Sequence, residues 1–344
     1  MERDESGRGG REPRRVVTFG EAMLRFTPRG HERLERATNL DVTPGGAELN
    51  TAVALRCLNV PSAWVSCLPE NALGRLVARQ ARAAGVDISD VRWVAEAEGR
   101  VGLYFLEEGT DPRPSSVTYD RAGSAIARVA PGTFDWPEIL AGAAAFDLSG
   151  ITLALSEGAR AEALAAVRAA NAAGIPVAFD LNYRSKLWSE EEARRAFVEI
   201  IPLVDIFFAS RGGLRTFFGI EGDLEQVLRA ARERLGVAVA VLTRKKARAS
   251  RGIKLASVAI GADDEIASSE WREVEIVDRL GGGDAFAAGF LAGYLADPDD
   301  LARALALGTA ASALKHTMPG DFLCATRAEI EAATSAVAAG ALHR

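Results

Sequence analysis

Cysteine, histidine, methionine and tyrosine are all scarce in this 344-residue chain, with three, three, three and four residues respectively. Cys57, Cys67 and Cys324 form an odd set without metal-type spacing. That excludes the paired framework of a small secreted protein and points to a reduced, cytoplasmic compartment. His31, His316 and His343 show no clustering, so neither a metal centre nor a triad is suggested. No stretch approaches the ~20 apolar residues of a membrane span. Positive charge is not in excess either: 41 Lys and Arg stand against 47 Asp and Glu, a formal net charge of -6, which argues against a nucleic-acid partner. The first residues, Met1 to Arg15, lack the apolar segment of a signal peptide. Residues 1–14 are expected to be a disordered tail, leaving 15–344 as one domain with room for a substantial core.

What the chain does have is glycine in two telling places. Val277-Asp278-Arg279-Leu280-Gly281-Gly282-Gly283-Asp284-Ala285-Phe286 runs into the small-residue stretch Ala287-Ala288-Gly289-Phe290. Gly281, Gly282 and Gly283 can turn their backbone N–H groups toward one point, and the helix that follows adds the positive end of its dipole, so an anion is favoured there. Asp284 then faces that anion, where a carboxylate makes sense as the acceptor of a hydroxyl proton during phosphoryl transfer. The competing reading of Asp284 is a helix N-cap. The second place is Pro44-Gly45-Gly46-Ala47-Glu48-Leu49-Asn50, a glycine turn entering an apolar helix with Asn50 one turn in.

Together these segments resemble the paired signatures of the ribokinase-like (PfkB) sugar kinases. Within that family Gly102-Leu103-Tyr104-Phe105, Tyr119-Asp120-Arg121-Ala122-Gly123 and Asp180-Leu181-Asn182-Tyr183-Arg184 are most similar to 2-keto-3-deoxygluconate kinases. The resemblance implies a ribokinase-like α/β fold: a three-layer α/β/α sandwich with a mostly parallel central sheet and a small β-sheet lid. It implies ATP and Mg²⁺ as cofactors, a small sugar acid as substrate and, through an exposed lid sheet, a homo-oligomer. Gly46, Asn50, Tyr104, Tyr119, Arg121, Arg184, Asp284 and Asp321 are implied at the substrate, and Thr243, Gly281, Gly283 and His316 at the nucleotide. The sequence names no metal ligand. Physical chemistry agrees with one part independently, since a sugar acid needs a cation for its carboxylate and arginine offers a planar fork of donors.

Along the chain, Val16 to Gly20 reads as a first strand and about Gly46 to Asn59 as a helix. Between and after them, segments around Met23 to Phe26, Asp41 to Thr43, Val101 to Leu106 and Val117 to Tyr119 have β character outside the strand-helix rhythm. The resemblance implies that these are the lid strands, drawn from about 22–44 and 100–120. From residue 145 a regular βαβ alternation follows, which places Asn182, Arg184, Thr243 and Asp284 beyond the carboxyl ends of parallel strands. Thr326-Arg327-Ala328-Glu329 matches a capping box, and the basic run Arg244 to Arg248 reads as a solvated loop, with a nucleotide-phosphate contact as its functional alternative.

One departure stands out. Where the family commonly carries Asn-x-x-Glu to support magnesium and phosphate, this chain has Ser210-Arg211-Gly212-Gly213. The expected activity is ATP-dependent phosphorylation of 2-keto-3-deoxygluconate, with Asp284 as a base of ordinary carboxylate pKa. The galactonate epimer is not separable from sequence. A neutral-sugar kinase of fructokinase or ribokinase type and a non-catalytic sugar-acid-binding regulator are the alternatives. A Rossmann dehydrogenase is disfavoured, because the glycines come late and no dinucleotide fingerprint follows the first strand.

Overall fold

Runs such as Ile206–Ala209 and Val239 to Leu242 are apolar throughout because they are covered on both faces. Successive side chains alternate between two cores. Phe207 and Leu242 join Val167, Phe197 and Leu228 on one side, whereas Phe208 and Val241 join Leu55, Phe290 and Leu305 on the other. The result is helix layers on both faces of one sheet. The computed structural model describes residues 14–247 and 252–335. All but one residue of the expected tail therefore lie outside the described residues.

The nine-stranded sheet runs in the order Ser62–Val65, Val16–Phe19, Ala145–Ser149, Val177–Asp180, Ile206–Ala209, Val239–Ala247, Gly252–Ile260, Ile266–Ser268, with Arg272–Glu275 also paired to Gly252–Ile260. Its first six strands are parallel and the remaining pairings antiparallel. The helices Glu157–Ala172, Glu190–Ile200 and Leu224–Leu235 belong to the strand-helix alternation expected after residue 145. Capping boxes at Ser189, Asp223 and Thr326 fix three helix starts, the last as expected.

The four segments outside the alternation form a separate sheet in the order Leu40–Gly45, Met23–Pro28, Gly102–Glu107, Ser116–Asp120. Its middle pair is parallel and its outer pairs antiparallel. The basic run differs from expectation: Arg244 to Ala247 extend the strand Val239–Ala247, hydrogen-bonded to Gly252–Ile260 rather than looping through solvent. Strand alternation explains how such charge is tolerated. Arg244 and Lys246 lie 4.7 and 4.6 Å over the Trp271 ring, a cation–π arrangement. Arg248 lies outside the described residues.

Candidate active site

Asp284 sits in the first turn of the helix Gly282–Ala296, and the N-cap position belongs to Gly281, so the capping reading of Asp284 does not hold. Its carboxylate instead accepts a hydrogen bond from Asn50 Nδ2 at 2.7 Å. Asn50 is itself oriented by Gly46, whose backbone N–H donates to Asn50 Oδ1 at 3.3 Å. Gly46 has to be glycine: a Cβ there would stand 2.0 Å from the Glu21 carbonyl. Burial raises the Asp284 pKa to about 7; the Asn50 bond opposes that shift, the Asp180 charge adds to it, and Arg184 opposes it. The ordinary carboxylate pKa expected from sequence is thus corrected upward.

Gly281 adopts φ +77°, and a side chain at this position would run into the Asp321 carbonyl, 1.9 Å from a Cβ. That backbone sign turns the chain into the helix and leaves the first amides unclaimed by intrahelical partners. Asp278, just upstream, accepts from Leu280 N and Gly320 N at 3.0 Å each and pairs with Arg25 at 2.5 Å. Asp321 is not free: Arg25 Nη1 donates to Oδ1 at 2.9 Å and Tyr104 OH to Oδ2 at 2.6 Å. His316 is buried behind the glycines, with Nδ1 2.6 Å from the Ser312 carbonyl and its ring packed on Gly282.

Two cavities meet at Asp284. One, of about 80 Å³, is lined by Gly46, Asn50, Tyr104, Tyr119, Arg121, Arg184, Gly281, Asp284 and Asp321. It therefore brings together every residue expected at the substrate. Tyr119, Arg121 and Arg184 also line an open mouth of about 1060 Å³. Arg121 is paired with Glu21, whereas the Arg184 side chain has no hydrogen-bond or ion-pair partner among the described residues. The two tyrosine rings stand 5.9 Å apart, and Arg121 and Lys186 approach Tyr119 at 5.8 and 5.7 Å.

The other cavity, about 600 Å³, is lined by Thr243, Lys245, Arg279, Gly281, Gly282, Gly283, Asp284, Arg184, Asp180 and the Ser210, Gly212 and Gly213 backbone turn. This is a volume ordinary for a ligand site. His316 is not among its walls, so of the residues expected at the nucleotide it alone stands back. Sequence reasoning reaches Lys245 only through the phosphate-contact alternative for the basic run, and gives Asp180, Arg279 and Arg25 no role. Lys245 is exposed at the cavity surface, where partial desolvation lowers its pKa against the Asp180 charge, and burial raises that of Asp180 to about 6. Among the described residues no cluster of His, Cys, Asp and Glu could hold a metal unaided.

The sequence pattern described as "pfkB family carbohydrate kinase" matches residues 13–328. A 2-dehydro-3-deoxygalactonokinase of Haloferax volcanii is 38% identical over 92% of this chain and 95% of its own length. A fructokinase-1 of Oryza sativa subsp. japonica is 30% identical over 83% of this chain and 84% of its own. The crystal structure of 2-dehydro-3-deoxygluconokinase from Thermotoga maritima is 34% identical, with a TM-score of 0.89 over 94% of this chain and 98% of that one.

Proposed function

Since this chain belongs to the pfkB family of carbohydrate kinases and has their ribokinase-like fold, we propose that it transfers the γ-phosphoryl group of ATP to the terminal primary hydroxyl of a 2-keto-3-deoxy sugar acid. The gluconate form is the first reading. The galactonate epimer is the second, favoured by the name of the Haloferax volcanii relative. The observation that carries the proposal is the seam at Asp284, shared by a polar recess with two arginines that open onto a wider mouth, and a larger cavity with Lys245 and Arg279.

In this reading ATP lies in the larger cavity with its γ-phosphoryl group at the amides of Gly281 to Gly283. Arg184, and Arg121 once released from or shared with Glu21, hold the carboxylate end of the acid and present the far hydroxyl to Asp284. The hydroxyl oxygen bonds to phosphorus as the bond to ADP breaks, and its proton passes to Asp284. A pKa of about 7 suits that task near neutral pH. Phosphoryl transfer depends chiefly on positioning and charge stabilisation, which the glycine turn and its cations supply. The donor set fits Mg²⁺ of the usual kind, carried by phosphates and water with one carboxylate near. Asp180 would face it, and the ion would neutralise phosphate charge.

The test is ADP release from ATP over a panel of 2-keto-3-deoxygluconate, its galactonate epimer, fructose and ribose. Turnover on either acid at a kcat/KM well above both neutral sugars is expected. Preference for fructose or ribose would replace the acid reading, and ligand stabilisation without turnover would mean a binder.

A further inference from the structure

The Arg25 side chain is among the most deeply enclosed in the molecule, 2% exposed, yet it is carried by the small sheet rather than the central one. It lies opposite Tyr104 in the parallel pairing of Met23–Pro28 with Gly102–Glu107. From these neighbouring positions both side chains reach Asp321, on opposite carboxylate oxygens. The same Arg25 Nη1 meets Asp278 at 2.5 Å. Those two carboxylates belong to the two loops that frame the glycine turn. Asp278 holds the Leu280 and Gly320 amides, and the Asp321 carbonyl seats Gly281.

A buried arginine between two buried carboxylates, with Glu108 a third carboxylate at 3.6 Å, is a poor device for stability alone, since apolar groups of similar volume often serve as well or better. It is a good device for fixing position. Without the guanidinium the Asp278 and Asp321 carboxylates lose the cation that bridges them, with Lys315 left as the buried cation nearby, and the small sheet keeps only the Tyr104 bond to Asp321 among the side-chain contacts of the described residues. Thr27 keeps the guanidinium in place, accepting from Nε at 2.8 Å.

We propose that Arg25 is a positioning residue for phosphoryl transfer: it locks the small sheet to the turn Leu280 to Gly283, so that closing the sheet over the substrate and aligning the turn's amides are one event. The proposal rests on the reading of Gly281 to Gly283 as the anion-binding turn. It does not depend on which sugar is the acceptor.

Arg25→Met and Arg25→Lys test it by two measurements, each on protein shown to be folded. In steady-state kinetics on whichever sugar the parent phosphorylates, Arg25→Met is expected to lose about 100-fold in kcat, the scale of a small misplacement of reacting groups, with KM for ATP and sugar near the parent values. Arg25→Lys keeps the charge but not the fork, and falls between. In native-state hydrogen exchange, the Leu280 and Gly320 amides should exchange faster in both variants while Phe179 and Val241 in the central sheet do not. A parent-like kcat in either folded variant, or unchanged exchange at Leu280 and Gly320, overturns the proposal. If Arg25→Met does not fold, Arg25→Lys decides alone by the same criteria. If the parent phosphorylates no sugar, the functional reading fails, and the exchange measurement still decides the role of Arg25 in holding the turn.

Discussion

Asn50 Nδ2 donates to Asp284 Oδ2 at 2.7 Å across 234 residues of chain, joining the two glycine-led helices at their first turns. The bond aims one carboxylate oxygen and leaves the other for a substrate hydroxyl. Asp284→Asn should therefore keep the fold and nucleotide binding, with a melting temperature no lower than the parent's, while kcat falls roughly 10²- to 10⁴-fold, the scale of a general base. Parent-like turnover removes Asp284 from the chemistry.

The Asp284 pKa also fixes the sign of the pH profile. Asp284 has to be ionised to accept the proton, so kcat/KM should be high above a pKa of about 7 and fall tenfold per unit below it. A profile flat from pH 5 to 8 is the contrary result. Moving Asn50 to alanine removes the bond that favours the charged form, so the acid limb should shift to higher pH.

Arg121 and Arg184, alike in sequence, differ in the fold. Among the described residues the Arg184 side chain has no hydrogen-bond or ion-pair partner, whereas Arg121 is already engaged by Glu21, whose other oxygen is buried with no hydrogen-bond partner there. Arg184→Ala should accordingly cost the larger selectivity: a charge-assisted contact of roughly 1.5 to 3 kcal/mol, read as the loss of kcat/KM on the acid relative to a carboxylate-reduced analogue. Arg121→Ala should lower the melting temperature as well, because it strands a buried carboxylate. Equal losses on acid and analogue would mean that neither arginine reads the carboxylate.

The parts of this site visible in the sequence are those encoded within a few residues. Glycines before Asp284, Gly46 before Asn50 and the strand-helix rhythm after residue 145 each declare a local conformation, and the resemblance supplied their pairing. Arg25 could not be found that way, and Lys245 is reached only through the phosphate-contact alternative for its run. One is a lone arginine in Met23–Pro28 and the other one cation in a basic run, and only the topology brings them to Asp278 and to the cavity. Arg244 to Ala247 misled for the same reason, because the ladder partner that makes them a strand begins only at Gly252. Composition also says nothing of Asp284's pKa, which is set by its enclosure.

Behind Asp284 lies a second set of acids. Asp147 is 4% exposed, and burial first, then the charges of Glu48, Asp180 and Asp284, push its pKa well above the usual carboxylate range. A folded pKa above the unfolded one means that the native state binds the extra proton. Its contribution is thus intact below the unfolded value of about 4 and is lost as pH rises through the folded value. Asp180 and Asp284, raised to about 6 and about 7, act in the same direction. Asp147→Asn keeps the shape and removes the ionisation. Its melting temperature relative to the parent should rise between pH 5 and pH 8, and a pH-independent difference would show that Asp147 ionises without cost.

The segment Ser210 to Gly213 forms a helix start, with Ser210 Oγ accepting from Gly213 N at 3.1 Å, and Ser210, Gly212 and Gly213 line the larger cavity. That position fits a support for metal and phosphate, and neither an amide nor a carboxylate side chain is there. Mg²⁺ keeps several waters and needs few protein ligands, so loss of a water-mediated partner should raise the Mg²⁺ requirement without abolishing it. Such partners are worth roughly 10- to 100-fold in metal affinity or activity. Ser210→Asn preserves the cap, for asparagine caps as well as serine. Gly213→Glu places a Cβ 2.4 Å from Leu181 Cδ2, the mobile end of a side chain, so Leu181 has to rotate but no backbone is displaced. The folded double variant should therefore reach half-maximal rate at about a tenth of the parent's Mg²⁺ concentration, at the lower end of that range. A titration superimposable on the parent's would show that this turn does not serve the metal, and that the nucleotide phosphates meet it elsewhere in the cavity.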